Sequence, residues 1–74
     1  MRRTLIETAK VVNGFGEVQD LQIYQRWISN PVGGGFLPTL KDVFNESGQH
    51  VNVLDGPVAR TFEVVVTGEI LTRI

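Results

Sequence analysis

The chain has 74 residues, no cysteine, one histidine, and seven basic against eight acidic residues, for a net charge of −1. That excludes disulfides and thiolate zinc sites, a multi-histidine metal site within one chain, and any broad electrostatic attraction to nucleic acid. With 42% apolar and 20% charged residues, the composition is that of one small folded domain rather than a disordered segment.

The first residues, "MRRTLIETAKVV", start basic, but Glu7 and Lys10 break any apolar core of a signal peptide. No run approaches the roughly 18 apolar residues of a membrane span. A chain without thiols is compatible with a reducing compartment, so a cytoplasmic location is expected. Within residues 4–12, Leu5, Ala9 and Val11 share one face of a strand, and Asn13-Gly14 has the composition of a two-residue hairpin turn.

Residues 17–29 read two ways. As a strand, Leu21, Ile23 and Trp27 fall on one face, with Gln22, Tyr24, Arg26 and Ile28 on the other. As a helix, Leu21, Tyr24, Trp27 and Ile28 form a stripe that Asn30-Pro31 would end. The strand is favoured, because the preceding turn needs an extended partner and no N-cap residue stands before Glu17. Trp27 is then expected to anchor the core.

Gly33, Gly34 and Gly35 follow. A phosphate-binding loop needs a lysine and a hydroxyl after its glycines, and here Phe36, Leu37 and Pro38 come next. The triplet reads as a plain connection, with close approach of a ligand or partner as the remaining alternative. "LPTLKDVFNESG" favours a strand over a two-turn helix, which would have little intrinsic stability. Residues 50–66 form a β-hairpin: "QHVNVL" and "TFEVVVT" both alternate, and "DGPVA" separates them. Gly68 reads as a bend within a long β-prone run over residues 61–74.

The whole is expected to be mainly β, a small antiparallel sheet or SH3-like barrel of five to six short strands. The alternative is α+β, with one helix at 17–29 packed on an antiparallel sheet. The catalytic inventory is thin: His50 has no thiol to activate, and the acids are scattered. No enzyme, cofactor or metal site is expected.

The densest constellation is "QIYQRW", where Gln22, Tyr24, Arg26 and Trp27 combine side chains enriched at binding hot spots. It points to a non-enzymatic module that binds protein, including its own copies, through a sheet face or edge strand. A domain this short has a marginal core and lacks the usual staples, so a homo-oligomer is expected. Self-association is expected along the 61–74 run, through Val65, Ile70 and Thr72. Nucleic-acid binding by Tyr24 and Arg26 with Arg2, Arg3 and Lys10 is the less favoured alternative.

Overall fold

A computed structural model of the protein describes residues 2–74. Six strands run in chain order: β1 (Arg2–Val12), β2 (Val18–Ser29), β3 (Phe36–Phe44), β4 (His50–Val53), β5 (Thr61–Val64) and β6 (Ile70–Arg73). All neighbours pair antiparallel, and β6 pairs back to β1, closing a barrel. The mainly-β expectation holds, and residues 17–29 are strand.

Strand length sets the shape. At roughly 3.3 Å per residue, β4, β5 and β6 reach only about 13 Å, whereas β1 and β2 reach about 36–40 Å. Three of the strands are therefore not short, and β1 to β3 outrun the barrel as a three-stranded arm. The molecule measures 49 × 23 × 19 Å.

The core lies wholly at the barrel end. Ala9, Val11, Leu21, Ile23, Val43, Val51, Phe62, Val64 and Leu71 are buried there, and Phe62 is its largest fully enclosed side chain. Trp27 is half-buried in the arm, beside Arg2 and Pro38 on the neighbouring strands. The expectation that it anchors the core is thus corrected. Trp27 does have the parity of Leu21 and Ile23, but at its level the barrel has ended and no opposing strand covers it.

Two register shifts shape the junction of barrel and arm. On β1, Leu5 pairs with Tyr24 and Glu7 with Ile23, which leaves Ile6 as an extra residue. One inserted residue reverses strand parity, so Leu5 leaves the face of Ala9 and Val11 and stands nearly half exposed. On β3, a second shift falls between the pairs Gln25–Lys41 and Trp27–Pro38. The Gln25 side chain is buried against this irregularity, and its Nε2 donates to the carbonyls of Arg26 and Thr39, each at 3.1 Å.

The turns also depart from expectation. The β1–β2 connection is a three-residue loop, with Gly16 Nα donating to the Asn13 carbonyl and Asn13 Nα to that of Glu17. Its left-handed residue is Gly16, at φ +81°, not the Gly14 of a two-residue turn. The 61–74 run is not one strand. The chain reverses over residues 65–69, so β5 pairs antiparallel with β6, and each is hydrogen-bonded on both sides. No long free edge exists there.

Candidate functional site

The arm consists of residues 2–6, 24–29 and 36–41. β2 runs down its centre, and among the described residues no strand lies beside the outer edges of β1 and β3 there. Leu5, Ile6, Ile28, Phe36, Leu37 and Leu40 on the arm are 43–69% exposed. Within the arm only Gln25 is buried. This surface is apolar because the strands carry β-prone residues on both faces, yet no second layer covers either face.

One face carries a charged aromatic row. Arg26 Nε and Nη2 donate to Asp42 Oδ2 and Oδ1 at 2.6 and 2.7 Å, a two-pronged pair. Arg3 approaches the same carboxylate at 3.7 Å and lies 5.2 and 5.1 Å from the ring centres of Tyr24 and Phe44. Tyr24 meets Phe44 edge-on at 5.8 Å, and Phe44 meets His50 at 4.7 Å. The hydrogen bonds from Arg26 hold the Asp42 carboxyl below its usual range against the opposing effect of burial, and that pairing raises the Arg26 guanidinium in turn.

The opposite face of the arm carries Trp27. Arg2, Thr4, Trp27 and Phe36 line a shallow depression of about 370 Å³. The Arg2 guanidinium sits 5.1 Å from the Phe36 ring centre. The β2–β3 turn closes the tip, with Gly34 and Gly35 at positive φ and Asn30 Oδ1 accepting from Val32 Nα. A strand follows the glycine triplet, so the helix N-terminus of a phosphate loop is not formed.

Of the expected binding residues, Gln22, Tyr24 and Arg26 lie on one face, with Tyr24 Oη donating to Gln22 Oε1. Trp27 lies on the other. Arg3, which the nucleic-acid alternative groups with Tyr24 and Arg26, completes the first face together with Asp42, Phe44 and His50, three residues that the sequence reading does not join to it. Their signal is the register of β1 and β3 against β2, which a single sequence does not print. Lys10 lies toward the barrel end of β1, where it pairs with Asp20 at 2.9 Å. Val65 lies in the β5–β6 turn, and Ile70 and Thr72 lie on β6.

Among the described residues, no group of three or more His, Asp or Glu side chains could hold a metal ion. Likewise, no helix is long and apolar enough to cross a membrane. Comparison with protein-family models, curated proteins and solved structures returns no match.

Proposed function

We propose that the protein is a small non-enzymatic interaction module that docks on protein through its three-stranded arm. The observation that carries this reading is the arm itself. It is a sheet with two uncovered faces and two unpaired edges, rich in exposed apolar side chains, held out from a barrel whose core it does not serve. Exposed apolar sheet of this kind is an aggregation liability unless something covers it. Tyr24, Arg26 and Trp27 supply the aromatic and guanidinium groups that anchor interfaces.

The nucleic-acid alternative is weaker. Arg3 and Arg26 both face Asp42, which neutralises part of their charge before any phosphate arrives. A photo-crosslinking residue at Leu37 on the arm, with one at Asn52 on the barrel wall as control, tests the reading in cells. Protein adducts at Leu37 and none at Asn52 are expected. No adduct at Leu37 would sink the reading, and adducts removed by nuclease would assign the arm to nucleic acid.

A further inference from the structure

The two ends of the molecule are chemically opposite. The arm residues include four cations, Arg2, Arg3, Arg26 and Lys41, and no acid, while Asp42 at the arm's base pairs with Arg26 and lies 3.7 Å from Arg3. At the far end of the barrel, the turns after β1, β3 and β5 bring Glu17, Glu46 and Glu69 near Asp20 at the start of β2, which pairs with Lys10. Asn13 Nδ2 donates to Glu17 Oε1 at 2.8 Å and to Glu69 Oε2 at 3.1 Å. The amide bridges the two side chains without placing a cation between them.

This acidic end is also apolar. Phe15 is 90% exposed, Val66 74% and Val18 58%. Val12, Phe15, Glu69, Ile70 and Thr72 line a depression of about 370 Å³ there. The arm tip presents the converse: Val32 at 94% exposure, Phe36 at 50%, and Arg2 beside that ring.

We infer that the arm's partner is a second copy of this chain, and that the basic, apolar tip of one copy seats on the acidic, apolar barrel end of the next. The inference rests on the arm being a docking surface and names its occupant. Tip against tip would bring Arg2 of one copy toward Arg2 of the other, and barrel end against barrel end acid to acid, so charge favours the head-to-tail arrangement. Such a contact uses two different patches, and each copy keeps one of each free. It therefore propagates into a ring or an open chain. Neither end is wider than the molecule's 23 by 19 Å cross-section, which places the contact in the small class below about 1,200 Å² and its affinity at micromolar or weaker.

The test uses two variants at highly exposed positions, Val32→Glu at the tip and Phe15→Gln at the barrel end, both checked for folding by far-ultraviolet circular dichroism. Sedimentation of the wild type should show an average mass rising past twice the 8.2 kDa monomer as concentration climbs toward about 1 mM. Each variant alone should stay monomeric. Their equimolar mixture should form one-to-one pairs, because the intact tip of one fits the intact barrel end of the other. Raised salt should weaken the wild-type assembly several-fold.

A wild type that is monomeric throughout, a Phe15→Gln variant that still dimerises fully, or a mixture no heavier than its components would each overturn the inference. Crosslinks from Leu37 to a different protein would then leave the docking arm standing without self-assembly. Absence of any crosslink would remove both.

Discussion

Phe62 and Trp27 show how differently two aromatic residues in one chain contribute. Phe62 is fully enclosed by the barrel, so Phe62→Ala should cost about 3–5 kcal/mol, comparable to the whole stability of a domain this size. Trp27 is half-buried outside the core, and Trp27→Ala should cost about 1 kcal/mol and leave cooperative unfolding intact. Urea titration of the two variants measures both. Alternation placed Trp27 on the correct face. What it could not supply is how far along the strand the barrel extends, because that depends on the lengths of the strands that close it. Asp42 gives a second prediction at this scale. Its carboxyl is held low by Arg26, so the pair stabilises the fold above the unfolded carboxylate value of about 4. That stabilisation is lost as pH falls through the depressed folded value. Asp42→Asn should lower the melting temperature at pH 7 and flatten its acid limb. Equal acid limbs in the two proteins would show that the pair contributes nothing.

At the level of elements, two turns repeat one design. Asn13 Oδ1 accepts from the backbone of Phe15 and Glu17, and Asn45 Oδ1 from that of Ser47 and Gln49. Each asparagine Nδ2 also donates to the acid or amide side chain four residues on. Gly16 and Gly48 hold the same left-handed position, at φ +81° and +80°. The pattern is legible in the sequence as Asn-x-x-Gly followed by Glu or Gln, occurring twice. Reading Asn13-Gly14 as a two-residue turn hid it. A β-carbon at φ near +80° costs about 1–2 kcal/mol, so Gly16→Ala and Gly48→Ala should each lower stability by about that much in thermal melts. Gly14→Ala, which meets no atom within 4 Å and has no positive φ, should do little. The strand pattern of residues 50–53 and 61–64 was equally legible, since both runs alternate and a strong turn signal separates them. The reversal after Val64 was not, because Val65 and Val66 continue a β-prone composition straight through the turn.

Across the whole molecule, the division into barrel and arm should appear in backbone exchange. Amides of β2 at Gln22 and Ile23, paired with β1 and with β3 at the level of the core, should exchange near the global unfolding rate. Those on the outer edges of residues 2–6 and 36–40 should exchange orders of magnitude faster. Equal protection along β1 would mean that another strand covers the arm, as the docking reading requires only in the assembled state. The seam of the barrel has a separate consequence. It is closed by Val11–Arg73 and Val12–Thr72, contacts between positions about sixty residues apart in sequence. Bringing such distant segments together loses chain entropy before any pairing compensates it, and folds dominated by remote contacts cross their barrier slowly. The local hairpins of β1 to β3 can form first, while the seam waits for β6. Substitutions at Val12 or Thr72 should then accelerate unfolding far more than they slow refolding, and the closing stitch would set how long the native state persists.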